Sequence, residues 1–141
     1  MTMTKTRLVL YGVLGVLVIF LLCWLSGSSG RRAAESRLRS AELRLNLTHA
    51  QAALSSARVD LFELNFGQAT RRLDEGRRAL EQAAGQVRED GPEAVAEPVR
   101  EAIGRTTVAH QLAGQMDQAA GSRAADALRS LDSAMALLPP G

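Results

Sequence analysis

The chain has 141 residues, 46% of them hydrophobic and 23% charged, a balance that permits one small folded domain and argues against intrinsic disorder. Cys23 is the single cysteine, which excludes an intrachain disulfide and a cysteine-built zinc site. The net charge of +2 is carried by Lys5 and Arg7; past Leu25, fifteen arginines meet fifteen acids, and no nucleic-acid partner is expected of so balanced a surface.

Residues 1–7 read as a short polar tail. The run from Leu8 to Leu25, LVLYGVLGVLVIFLLCWL, has no charged residue. At about 1.5 Å per residue it spans roughly 27 Å as a helix, close to the hydrocarbon thickness of a bilayer. Tyr11 near one end and Trp24 at the other suit the membrane interface. A single-pass transmembrane helix over 8–25 is therefore expected, with membrane lipid as a partner. A cleaved signal peptide competes with it: Lys5 and Arg7 supply the basic start, and Ser26 and Ser28 supply small residues for cleavage. The apolar core is longer than the roughly 7 to 15 residues such peptides use. A lipid-modified Cys23 would want small residues before it, and Leu21 and Leu22 stand there instead.

Orientation is set by competing charges. Arg31, Arg32, Arg37 and Arg39 follow the apolar run, with Arg31 and Arg32 nearest the headgroups, and by count they hold the carboxyl side in the cytoplasm. Arg7 abuts the apolar run, whereas Arg31 stands behind the flexible Ser/Gly tether 26–30. That layout resembles a bacterial inner-membrane signal anchor, and it is read here as placing the carboxyl domain on the exported, periplasmic side.

From 31 to 138 helix formers dominate and no alternating β-branched run occurs, so the domain is expected to be all-α. Breaks at Asn65-Phe66-Gly67, Glu89-Asp90-Gly91-Pro92 and Gly121-Ser122 predict helices over about 31–65, 68–89, 92–120 and 122–138, before a tail at 139–141. Short loops make neighbours antiparallel, as in a small bundle or stacked hairpins. The first helix carries two stripes in strict 4,3 spacing, as coiled coils do. One is Ala41, Leu45, Thr48, Ala52, Ser55, Val59, Phe62 and Phe66; the other is Leu43, Leu47, Ala50, Leu54, Ala57, Leu61 and Leu64. The stripes lie about 200° apart, on nearly opposite faces. One must turn inward, and the other needs either intramolecular cover or another chain. Leu43, Leu47, Leu54 and Leu61, with Val59, Phe62 and Phe66, are the expected packing and interaction residues. If the leucine series were the outward one, it would drive association with a protein partner or a second copy.

The second helix is expected to bury Ala69, Leu73, Gly76, Leu80, Ala83 and Val87, and the fourth Ala124, Leu128, Leu131, Met135 and Leu138. The third looks irregular, its Val99, Ile103, Val108, Leu112 and Met116 drifting around the axis, with Pro98 bending it or marking its start. Ala57…Phe66-Gly67-Gln68-Ala69…Leu73 resembles the helix–turn–helix of a tetratricopeptide repeat, and Ala127, Leu131, Ala134 and Pro139 resemble its second helix. Asp60 stands where that family places an aromatic and Gly76 where it places alanine. The resemblance implies a protein-interaction scaffold without catalytic residues.

Nothing in the sequence assembles into an active site. His49 and His110 are far apart and lack metal-ligand spacing. Asp74-Glu75 and Glu89-Asp90 read as solvated faces, with Arg71 and Glu75 one turn apart. Asn46-Leu47-Thr48 has the form of a glycosylation acceptor but falls mid-helix, and no phosphate-binding loop is present. The expectation is a membrane-anchored interaction or assembly module with no cofactor, metal or enzymatic activity; an accessory or regulatory subunit of an enzyme is the alternative. A reporter active only outside the cytoplasm, fused after Gly141, should therefore be active, and neutralising Arg31 and Arg32 should raise its signal. A reporter that works only in the cytoplasmic format reverses the topology.

Overall fold

The computed structural model describes residues 34–138; the expected membrane helix and tether, with Tyr11, Trp24, Arg31 and Arg32, lie outside the described residues. The chain divides into two units, Met1–Leu38 and Arg39–Gly141, and the packing below is that of the second, into which α1 runs from the first. Helix α1 covers 34–62, α2 is Phe66–Asp90, α3 is Glu93–Gly114 and α4 is Ala119–Ala136. No strand occurs among the described residues, and the class is all-α.

The helix ends follow from local hydrogen bonding. At the end of α1, the Leu64 N–H donates to the Leu61 carbonyl at 3.1 Å and the Asn65 N–H to the Asp60 carbonyl at 2.8 Å. This is the paired Schellman arrangement, with Leu64 as the left-handed residue at φ 60°. Asn65 then caps α2, its side-chain oxygen accepting from the Gln68 N–H at 3.3 Å. The α3–α4 turn repeats the design. The Met116 N–H donates to the Ala113 carbonyl at 3.0 Å and the Asp117 N–H to the Leu112 carbonyl at 2.9 Å. Met116 has φ 57°, and the Asp117 carboxylate accepts from the Ala119 N–H at 2.8 Å. The break expected at Gly121-Ser122 lies earlier in the structure: Gln118 precedes the new helix, the Asp117 carboxylate accepts from its first N–H, and Gly121 and Ser122 both lie inside α4. Pro92, with its preset φ of -66°, precedes α3. Pro98 lies inside the helix rather than at its start, where it cannot make the bond a normal N–H would have made to Ala94.

The buried positions repeat. Leu43, Leu47, Ala50, Leu54, Ala57 and Leu61 are the inward residues of α1, and at a constant offset Val95, Val99, Ala102, Thr106, Ala109 and Ala113 are those of α3. On α2, Ala69, Leu73, Leu80, Ala83 and Val87 are buried with Gly76, and one residue sooner in the repeat Ala120, Ala124, Ala127, Leu131 and Ala134 are buried on α4. The domain is thus two helical hairpins of like design. Every helix carries a column of small residues one heptad apart: Ala50 and Ala57; Ala69, Gly76 and Ala83; Ala102 and Ala109; Ala120, Ala127 and Ala134. Small side chains on facing helices let backbones approach closely, and a leucine or valine column beside them fills the remaining space.

This explains why α3 looked irregular. Its core is alanine, valine and one threonine, whose hydroxyl is satisfied by the Ala102 carbonyl at 2.7 Å, while the larger Ile103 and Leu112 are only partly buried and Val108 and Met116 are exposed. On α4, likewise, the alanines take the interior, and Met135 and Leu138 pack at its edge.

Contacts across the seams fix an antiparallel order. On the α1–α2 seam, Leu54 packs against Gly76, and the Asn46 amide donates to Gln86 at 3.1 Å. Gln51 donates to Asp132 at 2.9 Å between α1 and α4. On the α3–α4 seam Arg105 donates to the Asp126 carbonyl at 3.1 Å, and the buried Ser130 to Glu101 at 3.2 Å.

Gly76 marks the closest approach. A Cβ there would lie 3.2 Å from Leu54 Cγ, 3.3 Å from Leu54 Cδ2 and 3.6 Å from the Ala50 carbonyl. Gly76→Ala should therefore leave stability within about 1 kcal/mol of the parent, because the helix-propensity gain of about 1 kcal/mol offsets the crowding of Leu54. Gly76→Leu should destabilise by about 1–3 kcal/mol by forcing α1 from α2. Denaturant unfolding followed by circular dichroism checks both, and a Gly76→Leu variant as stable as the parent would contradict the close seam.

Candidate interaction surface

The two stripes of α1 have separate fates. Leu43, Leu47, Leu54 and Leu61 are buried, Leu47 and Leu54 completely. An outward leucine series is thereby overturned: the following helices present small-residue columns that need large partners, and only the leucines supply them. The other stripe faces solvent. Ala41, Thr48, Ala52 and Ser55 are exposed, and so are its large residues: Leu45 at 68%, Val59 at 57% and Phe62 at 90%. Phe66 begins α2 and is half-buried against the core.

Val59, Phe62, Leu64 and Met116 stand at one end of the bundle, whereas Leu38, Leu45, Val108 and Leu137 are exposed elsewhere. The two Schellman turns share that end, since residues beside each of them line one groove. Ser55, Arg58, Val59, Leu61, Phe62, Leu64 and Phe66 line an open groove of about 720 Å³ with Gln118 and Gly121 of the other hairpin. Leu64 is 59% exposed and Met116 73% exposed. These are the two described non-glycine residues with positive φ. The left-handed region is sterically unfavourable for a residue with a Cβ, by about 1–2 kcal/mol, and helix termini of this kind favour glycine. Each turn therefore holds a large apolar side chain in water at a conformational cost.

Elsewhere the surface is locally neutralised. The Asp74 carboxylate bonds Arg77 at 2.7 Å and Arg78 at 2.7 Å; the Arg77 hydrogen bond chiefly, then Arg78, hold it below the usual carboxylate range. Asp126 is held low in the same way by Arg129. Glu75 pairs with Arg72 at 3.2 Å, while Arg71 donates to Gln68 at 2.6 Å, so the expected Arg71–Glu75 partnership is not the one formed. The Asn46 amide is engaged with Gln86 on the α1–α2 seam. His49 is exposed and His110 half-buried, on different helices. Among the described residues no group of three His, Cys, Asp or Glu side chains could hold a metal ion, and no helix is long and apolar enough to cross a membrane.

The sequence reading singled out Val59, Phe62 and Phe66 but missed Met116 as their companion at the same end. The signal was present in Gln115-Met116-Asp117, where a cap residue follows a helix without an intervening glycine. Replacing Leu64 and Met116 with glycine should leave stability unchanged or raise it by up to about 1 kcal/mol per site, since the left-handed backbone then costs nothing sterically. Thermal unfolding measures this, and a loss above 1 kcal/mol per site would show that the side chains serve the fold instead.

No family model matches the chain, and it matches no curated protein and no solved structure.

Proposed function

We propose that this chain is a membrane-anchored helical interaction and assembly module, acting through contact and not catalysis, with segment 8–25 as a single-pass anchor and the bundle on the exported side. The observation that carries the interaction reading is the outer stripe of α1 with the apolar end it leads into. The bundle fills its interior with leucine, valine and alanine and still leaves Leu45, Val59, Phe62, Leu64 and Met116 in water. Contiguous exposed apolar surface of this kind marks contact sites, and an anchor that confines copies to a membrane raises the effective concentration at which such a surface meets its partner. The anchor reading rests on the charge-free length of Leu8–Leu25 and its flanking Tyr11 and Trp24. The likeness of the α1–α2 turn to a tetratricopeptide hairpin agrees with a scaffold role.

Two measurements test the reading. The protein should stay in the membrane pellet after alkaline carbonate washing, and Val16→Arg with Leu17→Arg should release it, each charge near the bilayer centre costing about 2.5–3.5 kcal/mol on the insertion scale. Release of the unaltered protein would refute the anchor. On the bundle, Leu47→Glu or Leu54→Glu should abolish cooperative unfolding, because an unpaired buried charge costs about 3–5 kcal/mol. Val59→Glu with Phe62→Glu should leave unfolding intact and abolish association. Association that survives the latter pair would place the contact elsewhere.

A further inference from the structure

The charges beside the exposed stripe of α1 are sorted by sign. With about 100° per residue, Ala41, Ala52 and Val59 define the centre line of the stripe. Glu42, Asp60 and Glu63 fall roughly 40–100° to one side of that line, and Arg44 and Arg58 roughly 60–100° to the other. Within 40–100° of the centre line, residues 39–63 place Glu42, Asp60, Glu63 and His49 on the first flank with no arginine or lysine, and no acidic residue on the second. The ion pairs of α2, α3 and α4 are closed within their own helices at spacings of three or four residues. Arg58 and Glu63 take part in no ion pair among the described residues, although Arg58 lines a groove with Asp126, Arg129 and Asp132 of α4, so neither charge is closed by a pair of its own.

We propose that the occupant of this stripe is a second copy of the chain, paired in parallel and in register through α1. When two helices meet face to face in the same direction, the left flank of each lies against the right flank of the other. Here the acidic flank of one copy then meets the basic flank of its partner: Arg44 opposite Glu42, and Arg58 opposite Asp60 and Glu63. In the antiparallel arrangement like flanks meet. Centred on Ala52, that arrangement would set Arg44 against Arg58 and Glu42 against Glu63, and the same charges that favour one pairing oppose the other.

The apolar positions agree with the parallel sense. Leu45, Ala52 and Val59, one heptad apart, each meet their own counterpart across a twofold axis, as an isologous contact requires, with Phe62 at the basic edge of the contact. The small residues along the stripe, Thr48, Ala52 and Ser55, let the two helices come close. The parallel register also brings two copies of the Phe62–Leu64 end side by side, so the apolar ends merge into one covered surface. This inference deepens the assembly reading above by naming the partner, and its charge argument does not depend on the anchor.

Disulfide trapping in the full-length chain tests it. In a Cys23→Ser background, Leu45→Cys and Val59→Cys should each, as single variants, form disulfide-linked dimers on mild oxidation, both in membranes and after mild detergent extraction. Arg100→Cys, on the exposed face of α3, should not. Arg58→Glu should weaken dimerisation by about tenfold, since attraction becomes repulsion at both symmetric contacts, and adding Glu63→Arg to the same chain should restore it. Crosslinking of Leu45→Cys only when mixed with Val59→Cys would overturn the parallel register in favour of the antiparallel one. Failure of both single variants to crosslink, with a monomeric mass in detergent, would overturn self-pairing altogether. Equal crosslinking of Arg100→Cys would overturn it too, as the sign of random collision. Membrane retention in the carbonate wash is unaffected by any of these outcomes, so loss of the dimer and loss of the anchor are separately visible.

Discussion

Close approach between helices governs this bundle. A column of alanine or glycine recurs one heptad apart on each of the four helices, and where Gly76 faces Leu54 there is hardly room for one more methyl group. Small residues bury little area individually, so the cohesion of such a core comes from dense contact between backbones and from the leucines that interleave with them. The ends, the seams and the exposed surface all follow from it. A core this thin has no room for phenylalanine, and the aromatic side chains of the described bundle stand at its margin or outside.

The polar seams serve the same geometry. Where α3 and α4 approach, Thr106 and Ser130 are buried, and their hydroxyls bond to the Ala102 carbonyl and to Glu101 respectively. Arg105 spans that seam to the Asp126 carbonyl while paired with Glu101 at 2.5 Å. Small hydroxyl residues occupy nearly the volume of alanine or valine and so preserve the spacing while giving the seam direction. Where α1 meets α4, the longer reach of Gln51 to Asp132 does the same at the surface.

How much was legible in the sequence varied with side-chain size. The α1 stripes and the inward face of α2 apart from the buried Ala79 could be read, because leucines at 4,3 spacing stand out against arginine and glutamate. Helix α3 could not. Half of its inward positions are alanine, indistinguishable by hydropathy from the alanines on its surface, and the eye follows Ile103, Val108, Leu112 and Met116 instead. The α3–α4 turn was misplaced for a related reason: glycine at 121 is a stronger written signal than methionine in a left-handed conformation at 116. Which α1 stripe faces inward also lay beyond pattern reading, because both have the same period. The decision belongs to the small-residue columns on the other helices, and only their packing reveals it. The surface at the turn end was half visible, since Phe62 and Leu64 are adjacent in the chain to features already noted, whereas Met116 reaches that end only through the fold.

The hairpin repeat has a kinetic consequence. Each of its two units joins helices through a turn of a few residues, so most of the burial within a hairpin involves residues close in sequence and needs little loop-closure entropy. Either hairpin can begin without waiting for the other. The contact that closes the ring, α1 against α4, brings together the most distant parts of the bundle, as Gln51 and Asp132 do, and it is paid for only after both hairpins exist. A chain that emerges amino end first thus has α1 and α2 together before α4 is made, with the inward leucines of α1 already partly covered. Its least protected interval is the one in which the alanine face of α4 has yet to arrive.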